Sequence, residues 1–208
     1  MKFDPQKHHR HSIRLKDYDY SQAGAYYITL DVQNRECLFG DILNREMILN
    51  QAGKMIEEQW NALPERFPNI ELDASQVMPT HFHGIIVIVG AAFMAAPSLV
   101  VADEANMEIT LENGAGIGSE VSRRPGAGTS PAPTLGDIVG AFKSITTNEY
   151  IKGVDNKNWP RFNKRLWQRN YYEHVIRDEA DLNRIRDYIQ SNPANWDEDE
   201  ENPNFKKP

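Results

Sequence analysis

Apolar and polar residues alternate with two different periods along the chain, and the change of period separates strands from helices. Ala25-Tyr26-Tyr27-Ile28-Thr29-Leu30-Asp31-Val32 is rich in aromatic and β-branched residues and follows Gly24, which predicts a strand. Leu38-Phe39-Gly40-Asp41-Ile42 predicts a continuation of that sheet after a turn. Over 44–63, Met47, Ile48, Ala52, Met55, Ile56, Trp60 and Leu63 recur at helical spacing, and Pro64 and Pro68 supply the stop. Ile70 to Ala74 alternates as a short strand, and 81–89 predicts the central strand. Leu135, Ile138, Val139, Phe142 and Ile145 mark an amphipathic helix from Thr134 to about Tyr150. Trp167 to Ile176 predicts another strand. The last helix starts after Asp178 as N-cap, carries Leu182, Ile185 and Ile189 as its apolar stripe, and stops before Pro193.

Residues 91–133 break the pattern. They are rich in Ala, Gly, Ser and Pro and predict a flexible insertion without a core of its own. The resulting order is strands and one helix, two strands, the insertion, then helix, strand, helix. It fits an α+β fold: a ferredoxin-like antiparallel sheet with helices packed on one face, closed by a C-terminal helix. The domain organisation expected is a basic N-terminal segment over 1–20, one domain over 21–192 interrupted at about 91–133, and a loosely held acidic tail over 193–208.

Composition narrows this little. A chain of 208 residues with 40% apolar and 25% charged residues fits one globular domain with decorations. The lone Cys37 excludes disulfides within the chain and zinc sites built on several thiolates, and suits a reducing compartment. The polar start, Met1-Lys2-Phe3-Asp4-Pro5, has no signal-peptide core, so a cytoplasmic, nucleoid-associated location is expected. Gly84 to Ala102 carries no charge, but Gly90, Pro97 and Ser98 interrupt it, so it reads as a strand running into a loop and not as a membrane span.

The distribution of charge changes the picture more than its sum of −7. Residues 1–16 carry a net +4 and residues 157–177 a net +5, whereas Asp197-Glu198-Asp199-Glu200-Glu201 is wholly acidic. Trp159, Phe162, Trp167, Tyr171 and Tyr172 interleave with the second basic stretch, a composition suited to single-stranded nucleic acid, whose bases stack on aromatic rings. A merely solvated face is the alternative. The candidate nucleic-acid contacts are Arg14, Lys143, Lys164, Arg165 and Arg169.

The candidate chemistry centres on His81-Phe82-His83 within Met78-Pro79-Thr80-His81-Phe82-His83-Gly84-Ile85. Residues two apart on a strand share a face, so both imidazoles project together, as two ligands of one metal must or as two half-buried histidines can. His9-Arg10-His11 has the same spacing but lacks a strand pattern and is set aside. On the last helix, Tyr188 and Asn192 are four residues apart and share a face beside the Ile185/Ile189 stripe. If that helix packs near the central strand, a phenol, a carboxamide and two imidazoles converge. The plainer alternative is an amphipathic core-edge tyrosine and a helix-ending asparagine.

Three pieces in this order carry a family resemblance: Met78-Pro79-Thr80-His81-Phe82-His83, Trp167-Gln168-Arg169-Asn170-Tyr171-Tyr172-Glu173-His174-Val175-Ile176-Arg177, and Asp187-Tyr188-Ile189-Gln190-Ser191-Asn192-Pro193. Tyr27 to Asn34, with Arg35, resembles the first strand. Over roughly 20–90 and 134–193 the chain resembles the REP-associated tyrosine transposases, within the HUH class of single-strand transposases. The resemblance implies His81, His83 and Asn192 as ligands of a divalent ion, magnesium or manganese, and Tyr188 as nucleophile. It implies nicking and rejoining of single-stranded DNA beside a hairpin through a 5′-phosphotyrosine. It implies single-stranded or hairpin DNA as partner and no membrane, with a homodimer as the assembly to test. Two other readings stand beside it: a small metal-dependent hydrolase using His81, His83 and a carboxylate such as Glu173, and a hairpin-binding protein without catalysis. For His174, which alternates with Tyr172 and Ile176, a structural hydrogen bond is expected instead of ligation.

Overall fold

The computed structural model describes residues 18–89 and 132–205. Four strands form one antiparallel sheet: β1 Gly24–Asp31, β4 Ile70–Val77, β5 His81–Ile88 and β6 Tyr172–Ile176, in the order β4-β5-β1-β6. With helices α1 Gln51–Asn61 and α3 Leu135–Lys157 as its two crossovers, this is the ferredoxin-like connection. A short α2, Leu63–Arg66, follows α1, and α4 Glu179–Ser191 follows β6.

The pleat sorts the side chains. Tyr26, Ile28 and Leu30 of β1 and Phe82, Ile86 and Ile88 of β5 pack with Ile56 and Trp60 of α1 and with Ile138, Val139 and Phe142 of α3 in the main core. The residues between them face the other way, where Tyr27 and Ile85 pack against Ile185 and Ile189 of α4. The expected helices on one face are α1 and α3, and α4 lies on the opposite face. His81 and His83 share the parity of Ile85, so the pleat delivers them to the α4 side.

Local chemistry sets the helix starts. Asn50 caps α1 through Oδ1, which accepts from the Ala52 and Gly53 amides. Thr134 and Asp137 form a reciprocal capping box at α3. Asp178 caps α4 by accepting from the Asp181 amide. His174 Nε2 meets Asp181 Oδ2 at 2.7 Å, which ties β6 to the first turn of α4 and gives that histidine the structural bond expected of it.

Three sequence expectations are corrected. The helix expected over 44–63 begins as strand β3, Glu46–Leu49, paired in a separate hairpin with β2, Gly40–Leu43, which therefore does not extend the main sheet. Asn44 and Arg45 both adopt positive φ (52° and 69°), the backbone of a two-residue hairpin turn. Pro64 sits in the first turn of α2, where a missing amide hydrogen costs nothing. The strand expected over 167–176 is ladder only from Tyr172 onward, while Trp167 makes a single bridge to Val32. The insertion expected at about 91–133 falls almost entirely outside the described residues, as do Arg14 and most of the basic N-terminal segment. Among the described residues no helix is long and apolar enough to cross a membrane.

Gly84 lets α1 approach the strand that carries both histidines. A Cβ there would stand 2.5 Å from Cζ2 and 2.7 Å from Cη2 of the buried Trp60 ring. Gly84→Ala should therefore destabilise the domain by about 1–3 kcal/mol, the usual cost of overpacking. Urea denaturation of wild type and variant measures the difference.

Candidate active site

Tyr27, Thr29 and Asp31 of β1, His81 and His83 of β5, Tyr188 of α4 and Asn192 line one cavity of about 800 Å³. His81 and His83 are buried, at 0% and 2% exposure, and Asn192 is buried too, whereas Tyr188 is 49% exposed at the cavity mouth. The Nε2 atoms of the two imidazoles face each other at 2.9 Å. Both nitrogens are thus aimed at one point, as two ligands of a single ion would need to be. Asn192 Oδ1 is buried with no hydrogen-bond partner, and its side chain adjoins both His81 and Tyr188. The Tyr188 ring stands edge-on to His83 at 5.4 Å between centroids.

The site fits a divalent ion held by two imidazoles and an amide oxygen. Among the described residues no three His, Cys, Asp or Glu side chains close on a common point suited to a metal. A third donor to such an ion would have to be of another type, and Asn192 has an oxygen without a hydrogen-bond partner.

Helix α4 is positioned by a feature of β4. The register shifts between Leu72 and Ser75, a bulge. Within it Asp73 receives a two-bond clasp from Arg186, Nε to Oδ1 at 2.8 Å and Nη2 to Oδ2 at 2.5 Å. Arg186 holds the Asp73 carboxyl below its usual range. Tyr188 lies two residues further along the same helix.

The acidic tail expected to be loose is instead part of the cavity. Asn192–Glu198 is a 3₁₀ helix, and Glu198, Asp199, Glu200 and Glu201 line the cavity wall. Arg35 fastens this segment: Nη1 donates to the Glu200 carbonyl at 2.7 Å and Nη2 to Glu201 Oε1 at 2.9 Å, with Nε 2.7 Å from Oε2. Thr80 Oγ1 donates to the Glu201 carbonyl at 3.1 Å. Asn202 is buried and donates to the Trp196 carbonyl. Its polar, acidic composition suggested a loose tail, but Arg35 and Thr80 supply the polar partners that let it pack.

Burial dominates the electrostatics. It pushes the His81 imidazole down to about 4, against the Asp199 carboxylate, whose Oδ2 lies 3.7 Å away. It pushes His83 well below the usual histidine range, and the neighbouring His81 adds to this. Both rings are therefore neutral near pH 7, the form that ligates metal. Burial, followed by the charge of Asp199, raises the Tyr188 phenol, while the neighbouring Asn192 and Tyr27 side chains act to lower it. Burial also raises Asp31 and Glu201.

The basic candidates lie elsewhere. Lys164, Arg165 and Arg169 border a groove of about 390 Å³ with Phe162, Trp167 and Gln168, separate from the histidine cavity. Lys143 reaches the same groove, but its Nζ donates to the carbonyls of Gln168, Arg169 and Asn170, so it braces the loop that presents Arg169. Glu173 pairs in register with Ile28 and shares the parity of the main core, away from His81 and His83, which removes it as the hydrolase carboxylate. Sequence reasoning missed Tyr27, Thr29, Thr80 and the 198–201 wall. Tyr27 and Thr29 were findable from β1's alternation, and the wall had no such signal.

No family model matches the chain. The chain belongs to one family with an uncharacterized protein of Haemophilus influenzae, 38% identical over 202 residues and covering 96% of both chains. Among solved structures it is similar to a REP-associated tyrosine transposase bound to a REP hairpin, with a TM-score of 0.51 and 17% identity, over 88% of this chain and 73% of that one. The fold is that of a REP-associated tyrosine transposase.

The buried neutral histidines predict an acid-sensitive fold. The unfolded chain protonates histidine below about 6.5, whereas folded His81 resists down to about 4. The unfolded state therefore binds more protons across that window, and stability should fall as pH drops through it. Asp31 and Glu201, with raised values, act with the opposite sign at the acid end. Thermal midpoints should hold from pH 8 to 6.5 and decline below, and His81→Asn should flatten the decline.

Proposed function

We propose that this chain nicks and rejoins single-stranded DNA beside a folded hairpin, with Tyr188 as the nucleophile. One observation carries the reading: a half-exposed phenol stands over two buried, converging imidazoles and an unpartnered amide oxygen in one open cavity. The fold shared with a transposase bound to a REP hairpin supports it.

In this reading His81 and His83, through Nε2, and Asn192, through Oδ1, would hold a divalent ion, magnesium or manganese. Such an ion would supply Lewis-acid polarisation of the phosphate and would offset the carboxylates of Asp199 and Glu201, which line the cavity and would otherwise repel DNA. The Tyr188 oxygen attacks phosphorus in line, the bond from phosphorus to the 3′ oxygen breaks, and the phenolic proton passes to water. The 3′ oxygen takes up a proton and leaves as a hydroxyl, with the 5′ phosphate on Tyr188. Attack by a 3′ hydroxyl on that phosphotyrosine reverses the step and rejoins the strand. Exposure of Tyr188 is what a polymeric substrate requires. Lys164, Arg165 and Arg169, with Arg14 from the N-terminal segment, contact the phosphate backbone, while Phe162 offers a ring for a base.

Incubation with end-labelled hairpin DNA and manganese, followed by a denaturing gel, tests the chemistry. Tyr188→Phe should bind the DNA and give no covalent adduct, and His81→Ala should lose manganese binding by calorimetry. Retained binding with no adduct from the wild type would favour the hairpin-binding protein without catalysis. An adduct persisting in Tyr188→Phe would transfer the role to another tyrosine.

Replacing Lys164 and Arg165 together by Ala should weaken DNA binding and reduce the salt slope by about one or two units of phosphate neutralisation. Binding measured against salt concentration reads the slope, and an unchanged value would place the strand outside this groove.

A further inference from the structure

The ring nitrogens of His81 and His83 that face away from the cavity are both held by hydroxyls, and these bonds fix where the protons sit. Thr80 Oγ1 gives its one hydrogen to the Glu201 carbonyl at 3.1 Å. Toward His81 Nδ1, 3.1 Å away, it can only accept. His81 therefore carries its hydrogen on Nδ1 and presents a lone pair at Nε2. That lone pair faces His83 Nε2 at 2.9 Å, and two lone pairs do not meet at that distance, so metal-free His83 carries its hydrogen on Nε2. His83 Nδ1 is then an acceptor. Tyr27 OH lies 2.8 Å from it and Thr29 Oγ1 3.0 Å. Thr29 donates to the Tyr27 oxygen at 3.0 Å, which leaves Tyr27 as the donor to His83. Every hydrogen bond from Thr29 through Tyr27, His83, His81 and Thr80 to the Glu201 carbonyl then runs in one direction.

A cation held by both histidines needs a lone pair on both Nε2 atoms, so this direction cannot survive binding. His83 must give its Nε2 proton to water and take one at Nδ1, with no net change in charge. Nδ1–H then donates to the Thr29 or Tyr27 oxygen, and the Tyr27 hydrogen has lost its acceptor. Tyr188 is the neighbouring phenol that can take it, its ring edge-on to Tyr27 with centroids 6.3 Å apart.

We propose that Tyr27 is a positioning residue that couples the two halves of the site. With His83 free, its hydroxyl donates to His83 Nδ1; with a divalent cation on His81 and His83, it donates to the Tyr188 oxygen. The nucleophile receives this bond, which favours its attacking form, only when the cation is in place. The inference rests on the assignment of His81, His83 and Tyr188 above and adds a residue outside that set.

Nitrogen-15 spectra of histidine-labelled protein read the His83 tautomer directly. Without metal, His83 should show hydrogen on Nε2 and His81 on Nδ1; zinc, which is diamagnetic and suits imidazole, should move the His83 hydrogen to Nδ1. Hydrogen already on His83 Nδ1 in the metal-free protein would overturn the proposal without touching the function reading. Tyr27→Phe keeps the ring and should slow adduct formation with hairpin DNA about 10–100-fold, while the metal dissociation constant changes less than threefold. A wild-type adduct rate in that variant, or equal losses of metal affinity and rate, would overturn it as well. Failure of the function reading looks different: wild type binds no divalent cation, or Tyr188→Phe still forms the adduct.

Discussion

Along β1 and β5 the backbone turns each successive side chain to the opposite side of the sheet, and the two sides have different solvents. Phe82, Ile86 and Ile88 enter a dry core under α1 and α3. His81 and His83, one residue out of phase, enter a cavity whose ceiling is α4. The same alternation on β1 sends Tyr26 and Ile28 to the core and Tyr27 and Thr29 to the histidines. A one-residue slip of register would exchange these sets, placing imidazoles in the core and phenylalanine in the cavity. The large apolar burial on the first face therefore holds the geometry of the second.

The second face is closed by polar bonds instead of bulk. Ile185 and Ile189 give α4 a small apolar footing, and the Arg186–Asp73 clasp fixes its rotation. The 198–201 segment adds a wall rich in carboxylates, fastened by Arg35 and Thr80. Placing Asp31, Asp199 and Glu201 around neutral imidazoles gives the cavity an excess of negative charge, which burial opposes by raising Asp31 and Glu201. In the proposed reading a cation held by the Nε2 atoms would answer that excess.

Much of this was legible in the sequence where a single period or cap decides the outcome. The two histidines fell on one face because the strand pattern around them was unambiguous, and Asp178 and the Leu182/Ile185/Ile189 stripe located α4. The β2–β3 hairpin was not legible, because Met47 and Ile48 fit a helical continuation of Ala52, Met55 and Ile56 as well as a strand. Asn44-Arg45 was the local signal that distinguished them. The roles of Tyr27 and Thr29 depend on pairing Thr29 with His83 across the sheet, a register the sequence does not carry by itself. The 198–201 wall depends on Arg35 from the far end of the chain, and composition alone suggested only a loosely held acidic tail.

The order of the site's parts along the chain has a consequence for synthesis. His81 and His83 are completed early, whereas Tyr188, Asn192 and the wall fastened by Arg35 come more than a hundred residues later. At ribosomal rates that gap is roughly 5–20 s. A growing chain can thus display its pair of imidazoles while it has neither the α4 phenol nor the carboxylate wall. The α4 phenol, the Asn192 amide and the carboxylate wall are the last of these parts to be installed, so an unfinished chain still on the ribosome carries the imidazole pair alone.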